Sequence, residues 1–308
     1  MYMNKEITRT IAERCLGYKK GEQFLIVSDD KSRALAYDMY KCATSLGMEA
    51  IFTQMPPRRM HGQEPPGVIA RALKHADLAV LITSMSLSHT KARKEASSKY
   101  GTRIASLPGV TEEILKRSIC LDYLSLQKKV ARISRILTEG NMVRVYTENG
   151  TELSMSLRGR KGFSDDGSYA EKGAFGNLPA GEACIAPCEG TTNGRLVIDG
   201  SASLAGKIRR PIEIRIKNGY AQNIPIYRMA ALVKSFGRRA LNVAEFGIGL
   251  NPKAKVTGNV LEDEKAIGTA HIAFGNNKSF GGRVYCPSHL DFVFFKPVIL
   301  IDGTKLDI

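Results

Sequence analysis

Residues 268–291 read GTAHIAFGNNKSFGGRVYCPSHLD, and the way this stretch folds decides the rest of the chain. From His289 the sequence continues as HLDFVFF, alternating and then wholly apolar, which predicts a strand entering a core. Strand side chains repeat every two residues, so His289 and Asp291 face the same side. His271 lies in a second strand-like run, AHIAFG, separated from the first by a Gly- and Asn-rich loop. Pairing the two runs brings its imidazole beside the first pair. Two imidazoles and one carboxylate form the ligand set of a catalytic zinc, cobalt or manganese centre, and equally of a mononuclear iron(II) site.

Two more carboxylates stand where apolar runs meet glycine: Glu182 in GEACIAP and Glu245 in NVAEFGIGLNP. A carboxylate buried in such surroundings needs a partner, because desolvating it alone is too costly, and a metal would supply one. A lone histidine is more often a satisfied core residue. A His-x-Asp, a second His and two Glu in similar settings together make a candidate site.

The composition is that of a globular protein: 308 residues, 43% hydrophobic and 24% charged, long enough for two cores. The longest apolar runs fall well short of the ~20 residues of a membrane span, and the N-terminal MYMNKEITRT has no apolar signal core. A cytoplasmic protein with no membrane partner is expected. The six cysteines (15, 42, 120, 184, 188 and 286) form no C-x-x-C pair and read as reduced. Cys184 would share a strand face with Glu182; packing is its expected role, with a thiolate ligand the alternative. The net charge of +15 is dispersed and carries no RNA-binding or helix-turn-helix signature, so it predicts attraction of anionic substrates rather than a nucleic-acid partner.

Taken in order, residues 4–17 predict an amphipathic helix ending at Gly17. Strands at 23–28, 49–54, 77–83 and 103–106 then alternate with helices at 32–46, 66–75, 90–99 and 111–117. This pattern predicts an α/β domain, a parallel sheet with helices on both faces. Ligands gather at the carboxyl ends of such strands, where SMSLSHT places His89 either as a substrate-contacting imidazole or as a helix-entry residue beside a Ser88 or Thr90 cap. Neither GxGxxG nor a P-loop follows the first strand, so no nucleotide site is expected. A connecting helix is predicted at 121–137. After Gly140 the character becomes mainly β: MVRVYTENGTELSMSLRGR reads as a hairpin with Asn-Gly at its turn, short strands follow, and one helix is predicted at 229–241. A boundary near residue 138 therefore separates an α/β domain, 1–138, from a mainly β catalytic domain, 139–308.

NLPAGEACIAP with TNGRLVIDGS, EFGIGLNP, LEDEKAIGTAHIAFG and SHLDFVFF together resemble the M29 metallo-aminopeptidase family over residues 140–303. The resemblance implies Glu182, Glu245, His271, His289 and Asp291 as ligands of two zinc, cobalt or manganese ions, with Glu182 also catalytic. It further implies a metal-activated water that releases N-terminal residues from small peptides, and a homodimer. Two features depart from the family. Seven residues beyond His271, where those peptidases carry a Tyr shortly after the first His, stands Lys278, which could polarise the carbonyl in its place; Tyr285 is the nearest tyrosine. The short N-terminal half, with SLSHTKARKEASSKYGTRIASLPGVTEE, is closer to a subgroup that also resembles 2,5-dihydroxypyridine dioxygenase. That resemblance implies one iron(II) held by His, His and Asp, a small-molecule ring substrate, and His89 as the substrate-side imidazole. The aminopeptidase is the leading expectation and the iron(II) dioxygenase the alternative. Asp263 and Glu264 are expected to form a solvated turn, with a general base or a partner for the substrate ammonium as the alternative.

Overall fold

The protein is described from a computed structural model covering residues 5–308; residue 4, where the first helix is expected to begin, lies outside the described residues. Internal contacts divide the chain into two units. One runs to Tyr123 and adds Gly167–Ala180; the other consists of Leu124–Asp166 and Gly181–Ile308.

In the first unit the strand Gln23–Asp29 lies between Glu49–Met55 and Leu78–Ile82, followed outward by Arg103–Ser106 and Phe175–Asn177, all parallel. The chain steps to one side after the first strand and to the other after the second. Right-handed crossovers therefore put helices Arg33–Ser45 and Gly67–His75 on opposite faces. The side chains agree. Leu25, Val27, Ala79 and Leu81 cluster with Ile69 and Leu73 of the second helix, while the alternate residues Phe24 and Ile26 are buried on the other side. Apolar residues on both strand faces are what an internal parallel sheet requires.

The second unit is mainly β. One seven-stranded sheet contains the predicted hairpin, Met142–Tyr146 paired antiparallel with Glu152–Ser156, and Gly150 at its turn has φ +98°. The other seven-stranded sheet runs, by position, Gly206–Lys207, Ser201–Ala202, His289–Phe295, Thr269–Gly275, Val243–Gly249, Glu182–Ile185 and Phe163–Asp165, with antiparallel neighbours throughout. The helix predicted at 229–241 is an α-helix at Tyr227–Phe236 and a 3-10 turn at Gly237–Leu241, broken where Gly237 takes φ +65°. Among the described residues no helix is long and apolar enough to cross a membrane.

The contact division differs from a single cut at 138 in two places. Residues 167–180 return to the first unit because Phe175–Asn177 extends its parallel sheet beside Arg103–Ser106. Most of helix Tyr123–Glu139 belongs to the second unit: Thr138 Oγ1 accepts the Gly162 N–H at 2.9 Å, and Arg132 donates to the Asp307 carbonyl at 2.6 Å.

Candidate metal centre

The register of the second sheet collects the acidic and imidazole residues on one face. Glu245 lies opposite Ala273, which lies opposite Asp291; His271 lies opposite Gly247, and Gly275 opposite His289. On the other side of Val243–Gly249, Gly247 pairs with Cys184 and Gly249 with Glu182. Directly paired residues share a face, as do residues two apart, so Glu182, Cys184, Glu245, His271, His289 and Asp291 all point the same way.

Gly247 makes the convergence sterically feasible. A Cβ built there would fall 2.1 Å from His271 Cε1 and 2.3 Å from Nε2, so the imidazole lies directly over the glycine backbone. In that position His271 Nε2 reaches Glu182 Oε2 and Glu245 Oε1, each at 3.6 Å. Across the sheet, His289 Nε2 is 3.0 Å from Glu245 Oε2 and 3.3 Å from Asp291 Oδ1. The Nδ1 of His289 lies 2.8 Å from the Asn276 carbonyl, which fixes a proton on Nδ1 and turns Nε2 toward the carboxylates. Phe280 stacks on this ring at 5.3 Å between centroids.

The donor set suits a divalent cation. Glu245, His289 and Asp291 form one group of converging ligand atoms, and Glu182, Glu264 and His271 a second. Two buried polar atoms of the cluster, Glu182 Oε2 and His271 Nδ1, have no hydrogen-bond partner. An unpaired carboxylate oxygen aimed among other ligand atoms is an expensive arrangement, and a cation relieves it.

Electrostatics inside the cluster divides the groups. Burial pushes the Glu245 carboxyl upward, but the flanking imidazoles of His271 and His289 more than offset it and hold the group well below the usual carboxylate range. Burial lowers His271, yet Glu245 and Glu182 raise it to about 9, and His289 is likewise raised well above its ordinary value by Asp291 and Glu245. Glu182 and Glu264 are shifted upward, burial being the largest cause. Cys184 is 2% exposed, and burial together with Glu245 and Glu182 keeps its thiol protonated, which favours packing over a thiolate ligand.

The LEDEK segment departs from the expected solvated turn. Glu262, Asp263 and Lys265 are all fully buried, and Asp263 accepts the Thr257 and Gly258 N–H groups. Lys265 Nζ sits 2.5 Å from Glu182 Oε1 and 2.9 Å from both Asp165 Oδ2 and Glu264 Oε1. Sequence reasoning missed Lys265 and Asp165. The available signal was an isolated Lys immediately before an apolar strand whose face carries acidic residues.

Lys278 and Tyr285 are brought to no such cluster. Lys278 is exposed on a 3-10 turn, and Tyr285 is 60% exposed. The loop between the two strands is pinned elsewhere: Glu189 accepts from Arg283 N at 2.7 Å and Asn277 Nδ2 at 2.9 Å and pairs with Arg160. This direction of the loop leaves Lys278 facing solvent while Phe280 covers His289. His89 belongs to the first unit and is exposed, just ahead of helix Lys91–Glu95, whose cap is Thr90, accepting the Arg93 N–H at 3.2 Å.

An α/β unit joined to a β unit whose sheet face gathers carboxylates and imidazoles in this way is the frame of an enzyme with a candidate metal centre. The chain belongs to the NicX family, described as 2,5-dihydroxypyridine 5,6-dioxygenase, whose family model matches residues 6–306. Among solved structures it is similar to 2,5-dihydroxypyridine dioxygenase from Pseudomonas putida KT2440, at TM-score 0.81 and 19% identity, over 98% of this chain and 95% of that one. It is also similar to wild-type AmpT from Thermus thermophilus, at TM-score 0.68 and 16% identity, over 98% and 97% of the two chains. No curated protein matches the chain by sequence. The M29 resemblance seen in the motifs therefore holds at the level of fold, while the family match goes to the dioxygenase, the alternative rather than the leading expectation.

Proposed function

We propose that the chain is an iron(II)-dependent ring-cleaving dioxygenase acting on a dihydroxypyridine or a closely similar electron-rich hydroxylated ring. The observation that carries this reading is the family match over residues 6–306. The site chemistry is compatible with it: Glu245, His289 and Asp291 converge as one donor group, and His271 lies 3.6 Å from the other oxygen of Glu245, so two imidazoles and carboxylates are at hand for an open-sided ferrous site. A ferrous ion held there would supply the one-electron chemistry that lets ground-state dioxygen react with the ring.

The protein's own groups do the remaining work. The Nδ1–H of His289 donates to the Asn276 carbonyl, which selects the neutral tautomer whose Nε2 lone pair could bind a cation, and Phe280 stacks on the ring face. Glu182 and Glu264, whose hold on a proton burial strengthens, stand in the same cluster as candidate acceptors for a ring hydroxyl's proton. The test is anaerobic reconstitution with iron(II) followed by oxygen uptake and loss of the aromatic absorbance of 2,5-dihydroxypyridine. Stoichiometric oxygen consumption coupled to ring loss supports the reading.

A second reading rests on the presence of both Glu182 and Glu245 beside the two histidines, the arrangement that led from the motifs to a two-metal aminopeptidase. Release of N-terminal residues by the zinc-, cobalt- or manganese-loaded protein, with no oxygen uptake on ring substrates, would establish it instead.

A further inference from the structure

Among the groups of converging donor atoms, two contain imidazoles, Glu245, His289 and Asp291, and Glu182, Glu264 and His271; a third, Glu182, Cys184 and Glu245, spans them and includes the buried thiol. The second imidazole-bearing group already faces a cation. Lys265 is fully buried, and its ammonium contacts an oxygen of Glu182 at 2.5 Å and of Glu264 at 2.9 Å, two of that group's three members. Its third partner is Asp165 Oδ2 at 2.9 Å, so the three N–H donors of the ammonium meet three carboxylates. The backbone holds the residue rigidly: the Lys265 N–H donates to the Glu262 carbonyl at 3.0 Å, and its own carbonyl accepts from Asn251 N at 2.8 Å. By contrast, no ammonium or guanidinium contacts Glu245 or Asp291 among the ion pairs of the described residues.

We propose that Lys265 is a positioning residue that serves as a permanent monovalent cation in the second half of the cluster, so that the centre takes one divalent ion and not two. The proposal rests on the metal-centre reading above and deepens it. A second metal there would have to sit against the same two carboxylates as the ammonium, whose charge opposes it, and the tethered ammonium cannot diffuse away. The single ion is then confined to the half formed by Glu245, His289 and Asp291, with His271 bordering both halves. The same contacts engage Oε1 of Glu182 and leave its other oxygen, Oε2, facing His271.

The experiment counts ions per chain by elemental analysis, after stripping with chelator, loading with excess zinc(II) or manganese(II), and desalting. The wild type is expected to hold one ion and Lys265→Met two. The double variant Asp165→Asn/Lys265→Met, which removes one carboxylate charge with the ammonium, is expected to hold two as well and provides the reading should the single variant not fold. Two ions in the wild type, or one ion in a folded lysine variant, overturn the proposal. No ion in any of the proteins overturns the metal centre itself. One ion in the wild type and two in the variant, in a protein inactive on hydroxylated rings, would keep the lysine's role and remove only the dioxygenase reading.

Discussion

Replacing Gly247 with Ala tests the geometry of the centre through a residue that binds nothing. Its φ lies outside the left-handed region, so alanine meets no backbone strain, and the loss of glycine's freedom in the unfolded chain favours folding by about 0.4–1 kcal/mol. The added methyl, however, would stand 2.1 Å from His271 Cε1, and opening that to the 3.4 Å of ordinary contact displaces the ring by about 1.3 Å. The strand cannot retreat, because it is paired on both sides, with Glu182–Ile185 and with Thr269–Gly275. The ring must leave its place between Glu182 and Glu245 instead. Overpacking of this kind costs about 1–3 kcal/mol, so the net loss of stability is at most about 2.6 kcal/mol and the protein stays folded. Loss of a well-placed ligand should weaken divalent-ion binding by at least about 10–100-fold, the range found when the support of a metal-binding imidazole is removed. Titration calorimetry with manganese(II) or zinc(II), beside a circular-dichroism melt, separates the two effects. A folded Gly247→Ala protein that binds the ion with wild-type affinity would refute the placement of His271.

Three further outcomes follow from the same contacts. His289→Ala removes the imidazole that faces both Glu245 and Asp291 and should abolish stoichiometric metal binding while the melt stays cooperative; unchanged metal content would remove this residue from the site. Glu189→Gln should destabilise the protein by about 1–3 kcal/mol by removing charge-assisted bonds to Arg160 and Arg283 N. The Glu189 carboxyl sits below its ordinary 4.5 because, although burial raises it, hydrogen bonds from Arg283 N and Asn277 and the Arg160 charge lower it further. Its contribution is therefore complete above about pH 4.5 and lost as pH falls through the depressed value, so wild-type and variant melts should converge in acid; a difference that persists to pH 2 would contradict this. Thr90→Ala removes the cap of helix Lys91–Glu95 and should cost about 1 kcal/mol in a denaturant melt without altering metal content, which would tie Thr90 to capping alone.

The sequence made much of this legible because sheet periodicity is local. The i, i+2 spacing of His289 and Asp291, and the alternation in AHIAFG and HLDFVFF, specify faces without any knowledge of the fold. The parallel sheet of the first unit was legible for the same reason, its apolar strands being separated by helix-period segments. What stayed hidden depends on pairing between distant segments. Lys265 looks like one charge among several in LEDEK, and only its approach to Asp165 and Glu182, respectively 100 and 83 positions earlier, shows that the segment is buried. Gly247 reads as one more glycine in EFGIG until the register sets His271 across from it. The strand Phe175–Asn177 is three residues long, too short for any periodicity to announce that it returns to the first sheet.

The assignment of chemistry turns on what surrounds the geometry of four adjacent strands rather than on the strands themselves. A face carrying Glu182, Glu245, His271, His289 and Asp291 supplies enough oxygen and nitrogen for either one ion or two. A two-ion hydrolytic centre needs both halves of the cluster open to metal, whereas a ferrous centre that must admit a ring and dioxygen needs one ion with free positions. The ammonium of Lys265, seated on Glu182 and Glu264, occupies one half from within the chain. On the proposal made for Lys265, a single buried side chain, contributed by a short segment outside the ligand-bearing strands, turns a donor set shared by both readings toward the mononuclear one.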